Sequence, residues 1–219
     1  LPEMYSSSYE ALLEYAGQPS LQEELVEARE KFIERTGPLF ESDPSFEHRL
    51  TTFLEWFLID RELNGKSLRP VQHFIENELG DASSDELDAV KALAQSRLEL
   101  MEFRRWKDGQ ARFKDLITKG RWVLDMPEIP LGLESGDIVA GRVVTSRNST
   151  YLLESLTLFP RAARKLIIKA AKPYKVQPPS PSEQIDFIHR LTYLANRGER
   201  YSHVDSREIF KALMASLVA

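Results

Sequence analysis

Apolar positions in the first hundred residues recur at helical spacing, and each run is bounded by residues that start or stop a helix. Ser6, Ser7 and Ser8 stand before the run Tyr9 to Ala16, which halts at Gly17. The pattern predicts a hydroxyl-capped helix with a C-terminal glycine. Pro19 and Ser20 open a second helix, with Glu23 at capping-box distance from Ser20 and a stop at Gly37 and Pro38. Its apolar stripe is Leu21, Leu25, Ala28, Phe32 and Ile33. A third helix begins at Asp43 and Pro44 and closes at Asn64 and Gly65. Phe46, Leu50, Phe53, Leu54, Trp56, Phe57, Leu58 and Ile59 surround this helix rather than line one side, which predicts a central element packed on several faces. Shorter helices follow around Val71–Leu79 and from Ser83 and Ser84 through Ala94.

From about residue 98 alternation replaces helical spacing. Leu98, Leu100 or Met101, Phe103 and Trp106 are expected near one side of a strand, and Asp108 and Gly109 form a strong hairpin signal. Arg112 to Thr118 and Arg121 to Asp125 predict two further strands, separated by Lys119 and Gly120. After Pro127 and Pro130, Ile138 to Thr145 and Thr150 to Leu156 complete five short strands, with a turn at Asn148 and a bend or bulge at Gly141. Helices return at Pro160. One ends before Pro173, and an extended connector runs from Gln177. The next is capped by Ser182, carries Ile185, Phe187, Ile188, Leu191 and Leu194, and closes at Asn196 and Gly198. The last is capped by Asp205 or Ser206 and carries Ile209, Phe210, Leu213 and Met214. This order predicts an α+β fold: an acidic N-terminal helical bundle over 1–97, a small antiparallel β-sheet or barrel over 98–159, and C-terminal helices over 160–219 packing on the rest.

Composition narrows the class. The 219 residues are 42% hydrophobic and 29% charged, proportions of a globular chain and not of a disordered one. With no cysteine, disulfides, thiolate metal sites and a cysteine nucleophile are excluded. No apolar run approaches the roughly 20 residues that span a bilayer, and we expect a cytoplasmic protein. The chain opens on Leu1 and not Met, so we expect a piece of a longer protein. The net charge of −5 hides a division. Residues 1–100 hold 9 Lys/Arg against 21 Asp/Glu, a balance of −12, whereas residues 101–219 hold 20 against 13, a balance of +7. The basic half either meets an anionic partner or is attracted to the acidic half of its own chain.

Candidate chemistry is sparse. The four histidines lack chelating spacing, and no nucleophile elbow or phosphate-binding glycine loop occurs, so we expect no catalytic residue, metal or cofactor. His48 and His189 are expected at helix surfaces and His73 in local packing. Glu55, between Leu54 and Trp56, is expected to be buried with a partner, and Asp60 and Arg61 to join an ion-pair cluster.

The sharpest local feature is a cationic helix. At 100° per residue, Arg161, Arg164, Lys165, Lys169 and Lys172 fall within an arc of about 140°, opposite Ala163, Leu166, Ile167 and Ala170. Lys175 continues the charge. Its apolar face is too narrow for a membrane-surface helix. Arg104, Arg105, Trp106 and Lys107 at the hairpin, with Arg112 and Lys114, add a second basic cluster. Trp106, Trp122, Phe103, Phe113 and Tyr151 either fill a barrel interior or form a stacking platform.

Two stretches are similar to known families. The run Phe53 to Leu63 resembles a helix of poorly characterised bacterial proteins, some with a SecA-type C-terminal zinc tail, in which a helical part precedes a small β module laid out like Leu98 to Val144. The cysteines of that tail are absent here, so no zinc function is implied. The run Ser135 to Val144 resembles the opening strand of S1-type RNA-binding barrels, without the aromatic pair that would follow.

The function expected from these features is a non-catalytic binding or regulatory module acting on another protein. The alternative is nucleic-acid binding through Arg104, Arg105, Trp106, Lys107, Arg161, Arg164, Lys165, Lys169 and Lys172. A third expectation, an enzyme built on Glu55, His48 and His73, requires those three to share a cavity.

Overall fold

Asp108 and Gly109 both adopt positive φ, 51° and 76°, the mirror-image turn whose twist matches the strands of a hairpin. The sequence signal and the backbone agree there residue for residue. The computed structural model describes residues 3–130, 132–146 and 149–216. Its α-helices are α1 (Glu3–Ala16), α2 (Gln22–Thr36), α3 (Phe46–Ile59), α4 (Pro70–Asn77), α5 (Ser84–Ala94), α6 (Arg164–Ala171), α7 (Pro181–Arg200) and α8 (Ser206–Ser216). Between α5 and α6 come β1 (Arg97–Lys107), β2 (Gln110–Asp115), β3 (Arg121–Asp125), β4 (Ile138–Ser146) and β5 (Ser149–Leu158). They form one curled antiparallel sheet, a half-barrel, in the order β3-β2-β1-β4-β5. The fold is α+β with helices at both ends. No helix among the described residues is long and apolar enough to cross a membrane.

The chain forms two compact units. One comprises Leu1–Ile33, Leu39–Arg97 and Val143–Ser155; the other comprises Glu34–Pro38, Leu98–Arg142 and Leu156–Ala219. In the first, α3 is buried on most of its circumference through Phe53, Trp56, Phe57, Leu58 and Ile59, as its apolar density predicts. Phe32 of α2 stacks at an angle on Phe53 and Trp56, with ring centres 5.5 and 5.7 Å away. Arg69 ties three helices together: at the start of α4, its guanidinium donates to the carbonyls of Ile59 and Ala94, the unsatisfied ends of α3 and α5. Ser83 and Glu86 form the reciprocal cap of α5.

The second unit's core joins Leu98, Leu100, Ile117, Ile138, Phe159, Ile167, Phe187, Leu191 and Phe210. The buried amide of Gln184 in α7 donates to the Leu98 carbonyl at 2.7 Å and to Glu99 Oε2 at 3.0 Å, fixing that helix against β1.

Several boundaries differ from the sequence expectation. Helix α1 starts before the serines, because Tyr5, Tyr9, Leu12 and Ala16 already form a buried stripe; Ser8 is buried within the helix and caps nothing. Asp43 and Pro44 form the turn before α3. The strand expected through Thr118 stops at Asp115, whose carboxylate accepts from the amides of Ile117 and Thr118 and so builds a turn. Ser180 caps α7 in place of Ser182, since Pro181 takes the first helical position. The same helix runs through Asn196 and Gly198. Asn196 donates to the Thr36 carbonyl, and Gly198 lies close to Ile209 and Ser206 of α8. The expected basic helix is divided into a 3-10 turn, Arg161–Ala163, and α6. A register shift lies in β1 between Phe103 and Arg105. The turn expected at Asn148, and the side chains of Leu213 and Met214, lie outside the described residues.

His189 is another correction. It is buried in α7, not at the helix surface, because it occupies the same side as Gln184, Ile188 and Thr192. Burial, reinforced by the positive charges of Arg35 and Arg142, lowers its pKa to about 3. The folded protein therefore keeps His189 neutral while the unfolded chain takes up a proton near pH 6.5. This contribution to stability is complete above pH 6.5 and is lost as the pH falls from there toward 3. Denaturant unfolding of wild type and His189→Gln at pH 7 and pH 5 should show wild type losing about 2 kcal/mol more than the variant. Equal losses would mean that folded His189 is protonated at pH 5.

Candidate anion-binding site

Strand pairing decides which cations share a face. Across β1 and β2, Arg105 lies opposite Arg112 and Glu102 opposite Lys114; across β2 and β3, Arg112 lies opposite Val123 and Lys114 opposite Arg121. Alternation places Ala111 and Phe113 inward, where both are buried, and Gln110, Arg112 and Lys114 outward. The outer face thus has two cationic rows, Arg105 with Arg112 and Lys114 with Arg121, one strand repeat apart, about 7 Å.

A groove of about 510 Å³ opens here. It is lined by Arg104, Arg105, Arg112, Lys114, Lys119 and Arg121, with Phe113, Gly120, Trp122 and Val123, and none of its described lining residues is acidic. The shift at Arg104 is what lets Arg104 and Arg105, neighbours in sequence, both reach the groove. Lys119 sits in the left-handed region with φ 65°, which costs a side chain other than glycine about 1 kcal/mol or more. Like charges directly opposite in a sheet are also destabilising, by up to about 1 kcal/mol per pair. The buried indole N–H of Trp122 has no acceptor among the described residues.

One carboxylate organises the edge of this face. Glu102, buried in β1, receives Arg104 at 2.9 Å on one oxygen and Arg164 of α6 on the other. Arg164 also donates to the Gly136 carbonyl at 2.9 Å. Gly136 has φ 95°, a conformation that strains any side chain, and a Cβ there would lie in ordinary contact with that guanidinium. Arg161 is held more fully: it grips buried Asp137 with two nitrogens at 2.7 and 3.0 Å, pairs with Glu134 at 3.0 Å, and donates to the Gly132 carbonyl at 2.9 Å. The Arg161 hydrogen bond holds the Asp137 carboxyl below its ordinary pKa despite burial.

The residues singled out from sequence therefore have different placements. Arg104 and Arg105 line the groove. Trp106, part-exposed, donates its N–H to the Met126 carbonyl at 2.8 Å, and Lys107 lies 3.6 Å from Asp108 at the exposed hairpin end. Arg161 and Arg164 are anchored to carboxylates, whereas Lys165, Lys169 and Lys172 are exposed. Lys119 and Arg121 were not singled out. The sequence marks Lys119 only as a turn residue, and Arg121 becomes part of the site only through its pairing with Lys114.

The other features are structural in form. Glu55 is buried, with Ser155 donating to one oxygen and Tyr9 3.5 Å from the other; His73 Nδ1 meets the Tyr15 hydroxyl at 2.6 Å. These contacts do not join Glu55 and His73 to His48. Arg61 pairs with Glu24 at 2.6 Å, as its expected cluster requires. A cavity of about 670 Å³ by α1, α4 and α5 is lined by Glu78, Asp81 and Glu86, but Glu86 is used in the α5 cap. Among the described residues no group of three or more potential ligands is arranged to hold a metal ion.

Residues 20–194 match a family of unknown function (DUF7986), and the chain belongs to that family. No curated protein and no solved structure matches it.

Because Arg161 satisfies buried Asp137, Arg161→Met should lower stability in denaturant unfolding. Polyanion affinity should stay within about twofold of wild type. A weakened affinity with unchanged stability would reverse this assignment.

Proposed function

Because membership of this family brings no activity with it, we propose from the site alone that the protein is a non-catalytic binding module whose outer β1–β2–β3 face holds the phosphates of a nucleic acid. The observation that carries the reading is the gathering of six cations in a groove with no acidic residue in its described lining, with Arg105 opposite Arg112 and Lys114 opposite Arg121, while Glu102, the β1 neighbour of Lys114, is already engaged by Arg104 and Arg164. A sheet face selected for stability alone would alternate the signs of such pairs. Phosphates supply the missing negative charge from outside. Four of the six cations are arginines, whose planar forks suit phosphate oxygens. A reducing compartment such as the bacterial cytoplasm fits the cysteine-free chain and the bacterial proteins that Phe53 to Leu63 resembles.

The reading that places another protein on the surface has its own support in exposed apolar side chains, of which Val176, Val26 and Phe40 are 85, 60 and 54% exposed. Exposed apolar residues are common on protein surfaces. The groove concentrates more unusual chemistry, and the nucleic-acid reading is preferred.

Fluorescence anisotropy with a labelled thymidine strand of about four nucleotides tests the proposal. Affinity should fall with salt, with a log–log slope of about −1.5 to −3 for two to four phosphate contacts. Arg112→Glu should weaken binding at least tenfold. It should also raise stability by up to about 1 kcal/mol, since it converts a repulsive row into an attractive one. Binding that ignores salt, or an Arg112→Glu variant that binds as well as wild type, would refute the assignment. Equal binding of polyglutamate at the same residues would transfer the site to acidic proteins.

A further inference from the structure

The groove does not end the basic surface. Lys165, Lys169 and Lys172 are spaced four and three residues apart, so they stand on one flank of α6 and its C-terminal cap, and all three are exposed. Among the described residues none of the three has a carboxylate partner. At 1.5 Å per residue this row is about 10 Å long.

Both ends of the α6 segment are tied to the groove. At its start, Arg164 shares Glu102 with the groove residue Arg104, and Glu102 is the cross-strand neighbour of Lys114. Beyond its end, Lys175 lies within electrostatic reach of Lys114 and Lys119, and its pKa is lowered by burial first and by Lys114 next. Asp115 and Glu102 act on Lys175 in the opposite sense. Glu102 already serves two arginines, and Asp115 is occupied in its turn. Lys175 thus bridges the groove and the helix flank.

We infer that the groove and the lysine row of α6 form one continuous track for a flexible single-stranded nucleic acid longer than the groove itself can hold. This inference rests on the nucleic-acid reading of the groove. A single strand suits the track better than a duplex does, because the cations pass from a sheet face to a helix flank around the Lys119 turn. A flexible chain follows such a change of surface, whereas a duplex resists bending over so short a distance. Grooves that follow a strand's backbone with cations are typical of single-strand binding.

The experiment is an anisotropy titration of the whole chain with thymidine strands of about four and about twelve nucleotides. It is run near 0.15 M salt, where distant charges are screened. Three proteins are compared: wild type, Arg112→Glu, and the triple variant Lys165→Gln/Lys169→Gln/Lys172→Gln. Wild type should bind the longer strand at least tenfold more tightly. The triple variant should keep the short-strand affinity within about twofold and lose most of the gain with length, and its salt slope on the long strand should fall by about 2. Thermal unfolding serves as the folding control, since these lysines are exposed. A triple variant with an undiminished gain, or a wild type with no gain, would overturn the track and leave the groove standing. Absence of short-strand binding, or its persistence in Arg112→Glu, would overturn the groove reading and the track with it. A duplex bound as tightly as the strand, with the same loss in the triple variant, would overturn the choice of a single strand.

Discussion

Glu102 is the charge around which the second unit's basic surface is organised. It is buried in β1, where an unpaired carboxylate would be costly, and its two oxygens are taken by Arg104 and Arg164. Those two bonds do separate things. One fixes a groove residue beside the register shift, and the other anchors the first residue of α6 to the strand. The same residue is paired across the sheet with Lys114, a cation of the groove. Replacing this single carboxylate would leave two guanidiniums and an ammonium crowded together without a counter-charge.

The groove departs from the economy seen elsewhere in the molecule. In the cores, polar groups are matched: Gln184 to Leu98 and Glu99, Asn196 to Thr36, Arg69 to two helix ends, Asp137 to Arg161. On the outer face of the β1–β2–β3 meander, Arg105 opposes Arg112 and Lys114 opposes Arg121, and Lys119 holds a backbone conformation that glycine would adopt more easily. Like-charge cross-strand pairs and a strained backbone gathered in one groove mark that place as serving something besides stability. This contrast is a stronger guide than net charge, which is negative for the whole chain.

Helices and turns were legible because their signals are local. The Asp108-Gly109 turn, the Ser83–Glu86 cap and the many-sided α3 can be read from neighbouring residues. The groove was legible only in part. Arg104, Arg105, Arg112 and Lys114 stand out as basic residues on a hairpin, but which of them face one another depends on strand register and on the extra residue in β1. Arg121 is an ordinary cation until β3 pairs it with Lys114. The engagement of Arg161 and Arg164 was hidden for the same reason, since their carboxylates lie 24 and 62 residues away in sequence. His189 was misplaced because a lone histidine on a helix carries no sign of which side packs inward.

The segments of the two compact units are interleaved along the chain. Glu34–Pro38 belongs with residues beyond 98, and Val143–Ser155 belongs with residues before 97. The first unit therefore lacks one of its segments until Ser155 has been synthesised, and the second until the C-terminal helices have. A ribosome delivering this chain from its N-terminus cannot complete one unit before starting the next, so the usual order of domain-by-domain maturation is closed to it. For the same reason no single cut in the chain separates the two units, and a gene fragment ending at Arg97 would encode an incomplete body lacking its last segment.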